Sequence, residues 1–433
     1  MLASQSHHLL VQRLLKGLNR TRTYPLTSTN LNATSIIKTP EEFHSRLCHL
    51  ISTAQERISL AALYIGTGAT QSEKLFLKSI QMAQPGAQII MDENRAGRPV
   101  GQTSSARSVL EALVDKPIYL YQTLKDPLKT ILSTPINEAV SVFHIKSFVV
   151  DNNLILSGAN LSQEYFQDRQ DRYIQIYGGK LVEFYKEIMD ILSSYANHYP
   201  EGRAKVTQEH FTTSLGKLFE RNDYNTNEDD VVAYAIPTFQ HPTLPLPFPS
   251  DKEQLRNLFE ITTEEGCSVK LASAYLNPTP WMISYLLKHK SCDVLTAGPI
   301  SHGFAPKPGM RRVGDFVTPW YAAKTLELQD KHGLSIKWYN RPGWTFHAKG
   351  LWIISPHGKL VAAVVGSGNY GFRSEYRDLE SNCILIFPQE SSAIQEALLQ
   401  EWDQLSNYAV DPHATEIPRL YSYPPWSLLK WYF

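Results

Sequence analysis

Residues 39–64, TPEEFHSRLCHLISTAQERISLAALY, place apolar side chains at a helical period and then run into a short apolar segment. That pattern predicts a helix leading into a strand. Residues 250–275, SDKEQLRNLFEITTEEGCSVKLASAY, repeat the plan, with Tyr275 standing 211 residues after Tyr64. Each strand passes into a turn-prone stretch, IGTGAT or LNPTP, and then into another helix-like segment. A self-similar pattern at this spacing predicts an internal duplication, in which each half alternates strands and helices. Such a tandem pair is expected to pack as two α/β halves of mixed sheet about a pseudo-twofold axis, with equivalent surfaces facing each other.

Apolar alternation also predicts a hairpin in each half. In the first, FHIKSFVV leads through the turn DNN (151–153) into LILSGAN; in the second, FHAKGLWII leads through SPHGK (355–359) into LVAAVVGSGN. Between the halves, residues 221–231 are polar and PTFQHPTLPLPFPS (237–250) is proline-rich, which argues against a helix interior or a central strand. The expected division is an N-terminal segment over 1–38, a first half over 39–235, a connector over 236–249 and a second half over 250–433. Residues 1–40 hold five Lys or Arg and no acidic residue, and LLVQRLLKGLNR (9–20) is amphipathic. This matches a mitochondrial presequence, or else a disordered basic tail.

Composition narrows the partners. Lys+Arg and Asp+Glu both number 42, so no global basic field gathers nucleic acid. Cys48, Cys267, Cys292 and Cys383 form no zinc-like spacing, and no His/Asp/Glu cluster has metal-ligand spacing. No apolar run approaches the ~18 residues that would span a bilayer, so membrane contact is expected to be peripheral.

The chemistry sits on the hairpins. His144 and Lys146, like His347 and Lys349, are two residues apart and share one face of a strand. The return strands carry Ser157 and Asn160, and Ser367 and Asn369. An acid follows each Asn by 11 residues, Asp171 and Glu380, suited to orienting an imidazole through Nδ1–H. Lysines, amides and hydroxyls suit phosphate oxygens, and a histidine pair near neutral pH can act as nucleophile and acid. The expectation is two-step phosphoryl-group transfer through a phosphohistidine. Arg95 and Arg98 in DENRAGR are candidate phosphate contacts or members of a solvated loop; Arg169 and Arg172 in QDRQDRY flank Asp171. The aromatic tail 419–433 and residues 243–249 are candidate membrane contacts, whereas His302 and His357 read as ordinary loop histidines.

These motifs resemble those of the phospholipase D superfamily, HxKxxxxD followed by GSxN, twice per chain. His144, Lys146 and Asp151 match in full; His347 and Lys349 match, but Ile354 replaces the second Asp, and Ser157-Gly158 stand in swapped order. The contexts HAKGLW, LYIGTG and YRDLESN look like the eukaryotic mitochondrial phosphatidylglycerophosphate synthase family, over about residues 40–400. The resemblance implies the phospholipase D-like fold and transfer of phosphatidyl from CDP-diacylglycerol to glycerol 3-phosphate. It also implies a catalytic set of His144, Lys146, Asp151, His347 and Lys349, with His144 as nucleophile and His347 as general acid/base. The implied location is the matrix side of the mitochondrial inner membrane, with no cofactor in the catalytic core and room for divalent-ion assistance at the CDP moiety. Phospholipases D, cardiolipin synthases and nucleases use the same chemistry with other acceptors, and a catalytically inactive lipid-binding scaffold would keep the same fold.

Overall fold

The computed structural model describes residues 2–18, 22–27, 35–96, 99–100, 104–123, 141–200, 202–220, 230–305 and 311–414. Both predicted helix–strand units are present. Helix Pro40–Thr53 starts with proline in its first turn and with Thr39 accepting the Glu42 N–H; strand Ile58–Ala62 follows. Helix Asp251–Glu264 starts in a capping box between Ser250 and Glu253, and strand Ser268–Ser273 follows.

Each half builds one mixed sheet in the same order. The first runs Asn197–His198, Ile118–Tyr121, Ala87–Asp92, Ile58–Ala62, Ser147–Val150, Asn153–Ser157, Tyr173–Tyr177 and Ser35–Ile37. The second contains Ala409–Val410, Ser335–Tyr339, Cys292–Ala297, Ser268–Ser273, Lys349–Ile354, Leu360–Gly366 and Glu380–Ile386 in the corresponding order. The helix-linked strands pair in parallel and the hairpins antiparallel. The predicted mixed α/β duplication is therefore the observed architecture.

The second sheet continues past Glu380–Ile386 into Val231–Gln240 and then Tyr24–Thr27, which corrects two expectations. The connector over 236–249 does not begin at 236. Pro237 lies inside a ten-residue strand, opposite Cys383. Pairing with Tyr24–Thr27 ends at Ala235, so by 237 the strand has a neighbour on one side only, the edge setting that tolerates proline. Nor is the N-terminal segment disordered over its described part. Leu2–Leu18 is a helix, and Leu10, Val11, Leu14 and Leu18 form a buried stripe that packs with Leu255, Leu258 and Phe259 of the second half. Arg13 pairs with Glu264 and Glu265 at the rim of that contact. The amphipathic face of 9–18 is thus covered by the chain's own core. The aromatic tail over 419–433 lies outside the described residues.

Candidate active site

The halves meet through two short exchanges of backbone. Arg169–Gln170 pairs in parallel with Thr345–Phe346, and Phe143 bridges to Leu379. The His347 N–H donates to Gln170 O at 2.7 Å, and the His144 N–H donates to Leu379 O at 2.9 Å. The chain entering each His-x-Lys strand therefore lies along the chain entering the other half's carboxylate. Each histidine is consequently held by the acid of the opposite half: His347 Nδ1 is 2.6 Å from Asp171 Oδ2, and His144 Nδ1 is 2.9 Å from Glu380 Oε1. The sequence spacing of 11 marked the right acids but not this crossing.

A carboxylate accepts, so each Nδ1 donates and each Nε2 is left for chemistry. Both imidazoles are pushed well below the ordinary histidine value, by burial first and then by the neighbouring lysines. Lys146 is lowered to about 7 and Lys349 to about 8, in both cases by burial against the opposing pull of Glu380 and Asp171. Burial raises Asp171 to about 6 and Glu380 to about 7. Each lysine donates to the carbonyl of its own histidine, Lys146 at 2.7 Å and Lys349 at 2.6 Å; His144, Lys146 and His347 lie just ahead of the strands, which begin at Ser147 and Lys349. Gly158 lines the approach: a Cβ there would stand 2.7 Å from Asp171 Oδ1 and 2.8 Å from Lys349 Nζ, so a side chain two positions before Asn160 would press on both groups.

The remaining predicted residues divide. Ser367 donates to Glu380 Oε2 at 2.5 Å, and Ser374 donates to Oε1 at 2.9 Å, so they fix that carboxylate. Ser157 donates to Arg172 O and accepts from the Ala159 N–H, both of them bonds internal to the fold. Asn160 accepts from the Leu63 N–H and donates to the Tyr165 hydroxyl. Asn369 Oδ1 is buried without a hydrogen-bond partner.

Asp151, expected in the catalytic set, is not at the dyad. It occupies the hairpin turn at φ 50°, and its carboxylate accepts from the backbone N–H groups of Gln55, Glu56 and Arg57. Partial burial would raise its pKa, but those three donors outweigh it and hold the carboxyl below the usual range. This local role explains why Ile354 can replace the second copy. Arg95 stacks over Tyr64, with 5.0 Å from its guanidinium carbon to the ring centre, and Arg98 lies outside the described residues. No cluster of His, Cys, Asp and Glu that would hold a metal ion exists among the described residues.

Several site residues escaped the sequence. The Tyr165 hydroxyl lies 3.3 Å from His347 Nε2 and accepts from both Arg169 and Asn160. With two donors already on its oxygen, the hydroxyl's own proton is free to point to Nε2, which Lys349 Nζ also approaches at 3.3 Å. Tyr275, flagged only as the repeat partner of Tyr64, sets its ring 5.6 Å from His347. His302 is not an ordinary loop histidine: it is buried beside Tyr275 and Tyr321, and burial lowers it to about 3 with Arg169 adding to the shift. Arg172 crosses into the second half, donating to Lys349 O and Val364 O and pairing with Glu401 over the Trp352 ring. Gly350 leaves its path open, since a Cβ there would collide with the guanidinium.

No family model matches the chain. It is 28% identical over 414 residues to a Dictyostelium discoideum protein named probable CDP-diacylglycerol–glycerol-3-phosphate 3-phosphatidyltransferase, covering 84% of this chain and 70% of that one. It is also 28% identical over 431 residues to the human mitochondrial protein of that name, covering 86% and 76%. The Saccharomyces pastorianus protein of that name is 26% identical over 419 residues, covering 83% and 79%. Among solved structures, the phosphatidylserine synthase of Haemophilus influenzae superposes with a TM-score of 0.72 at 19% identity, covering 97% of this chain and 96% of the other. The resemblance read from the motifs is borne out by these relatives, and the fold by the superposition.

Proposed function

We infer that the chain transfers phosphatidyl from CDP-diacylglycerol to glycerol 3-phosphate, giving phosphatidylglycerophosphate and CMP. The observation that carries this reading is the crossed dyad, two imidazoles anchored through Nδ1 by Asp171 and Glu380 with a lysine beside each. The relatives' shared name supplies the donor and acceptor. One Nε2 attacks the phosphorus that bears the diacylglycerol, forming a P–N bond, while the other imidazolium protonates the departing CMP oxygen. The second imidazole then takes the proton of the glycerol 3-phosphate hydroxyl, whose oxygen attacks phosphorus and releases the first histidine. Lys146 and Lys349 supply positive charge where the phosphoryl oxygens gain negative charge. The reading asks for no cofactor at the phosphorus, and it places the enzyme on the mitochondrial inner membrane, peripheral and matrix-facing.

The test is a labelled CDP-diacylglycerol assay, with and without chelator, offering glycerol 3-phosphate, water and phosphatidylglycerol as acceptors. Label in phosphatidylglycerophosphate with glycerol 3-phosphate alone is expected. Equal product with water would make the chain a phospholipase D, and product with phosphatidylglycerol a cardiolipin synthase.

A further inference from the structure

The chain segments bordering His347 carry an apolar edge that the chemistry above leaves unexplained. Ile300 is 60% exposed and Phe304 37% exposed, on the loop that leaves strand Cys292–Ala297. Beside it the turn Asn340–Trp344 enters the His-x-Lys strand, with the Arg341 guanidinium 3.5 Å from the centre of the half-buried Trp344 ring. The two loops are joined: the Arg341 N–H donates to Ser301 Oγ at 3.2 Å, and Ser301 Oγ donates to Arg341 O at 3.4 Å.

This edge connects directly to the dyad. The Phe304 ring is 5.5 Å from Tyr275, and Tyr275 is 5.6 Å from His347. Other large exposed apolar side chains, such as Leu75 and Met82, lie on helix Gln71–Met82 of the first half. Exposed aliphatic and aromatic side chains beside a tryptophan that stacks on a cation are the composition of a bilayer interface. Among the described residues no helix is long and apolar enough to cross a membrane, yet a diacyl donor resides in one. Its phosphorus must reach the imidazoles while its acyl chains remain in an apolar medium.

We propose that the rim formed by Ile300, Phe304, Arg341 and Trp344 docks on a lipid bilayer and receives the diacyl donor there. The proposal rests on the phosphatidyltransferase reading, and the experiment separates the two. The full chain and its Ile300→Asp/Phe304→Asp variant are sedimented with vesicles of phosphatidylcholine containing a fraction of phosphatidylglycerol. Loss of two interfacial side chains should lower vesicle partitioning about tenfold or more. Turnover of long-chain CDP-diacylglycerol in those vesicles should fall in parallel, and turnover of a monomeric dioctanoyl donor should fall far less. Leu75→Asp/Met82→Asp should partition like wild type, and Phe304→Ser alone should give an intermediate fall with unchanged circular dichroism. Wild-type partitioning of the rim variant overturns the proposal, as does equal loss on the short-chain donor. A concentration-dependent dimer abolished by the same changes would instead assign the rim to a second copy and also overturn it. Rim-dependent partitioning with no phosphatidylglycerophosphate from any donor would retain the docking surface and reject the transferase.

Discussion

The two halves of the site share a geometry and differ in charge. Five residues apart, Glu164 and Arg169 form an ion pair at 2.7 Å in the first half. At the corresponding places, 209 residues on, stand Arg373 and Asp378, paired at 2.8 Å with the signs reversed. The residue two before the orienting acid is therefore a cation beside His347 and an anion beside His144. Tyr165 and Ser374 also correspond: the tyrosine reaches His347 Nε2, whereas the serine holds Glu380. Duplication supplied two equivalent cradles, and divergence of the neighbours made them unequal. Arg169 adds to the lowering by burial and Lys349 at His347, whereas at His144 Asp378 raises the pKa against burial, the lysines and its own partner Arg373. If this difference sets the roles, His347 is the nucleophile and His144 the acid, the reverse of the order that the motif resemblance implies.

The largest effect should come from the histidines. His144→Ala and His347→Ala are each expected to lower the rate of phosphatidylglycerophosphate formation about 10⁴-fold or more. In a quenched reaction with labelled donor, His144→Ala should retain a phosphatidyl label on His347, released only slowly. Label found solely on His144, in the His347→Ala variant, would show that substrate rather than the surrounding charge sets the roles.

Next comes the inverted pair. Arg169→Met should lower kcat about 10- to 100-fold. Removing a cation beside His347 raises that imidazole's pKa, so the acidic limb of the pH–rate profile should move to higher pH. Asp378→Asn removes an anion beside His144 and should move the limb that reports its proton loss to lower pH. Identical shifts from both would collapse the distinction between the halves.

The halves also differ in their covering. Only the second sheet carries the N-terminal helix, whose Leu14 is fully buried. Leu14→Ala should cost about 2–4 kcal/mol in denaturant unfolding while leaving kcat near wild type. The smallest effect on catalysis belongs to Asp151. Asp151→Asn should keep activity within about twofold and lose about 1–2 kcal/mol of stability from its turn. Its folded pKa is depressed, so that stability is present above the ordinary carboxylate range and lost as pH falls through the lowered value. A loss of activity comparable to the histidine variants would return Asp151 to the catalytic set.

Local patterns determined a large part of this protein. The helix–strand repeat, both hairpins, both His-x-Lys faces and both acids depend on side-chain periodicity and spacing, which the chain carries wherever it folds. Asp171 and Glu380 were legible as imidazole partners because each follows its Asn by the same interval. Tertiary structure alone decided that each acid serves the other half's histidine, since Asp171 and His347 are 176 positions apart and meet only through the paired backbone of Arg169–Gln170 and Thr345–Phe346. It also decided that Pro237 lies in a strand, because only the end of pairing at Ala235 makes that site an edge. The helix Leu2–Leu18 carries its amphipathic stripe in the sequence, but a stripe does not name its partner; the packing against Leu255, Leu258 and Phe259 of helix Asp251–Glu264 does. Burial settled the rest, withdrawing water from Lys146, Lys349 and His302, so that both lysines titrate near neutral pH and His302 stays uncharged there.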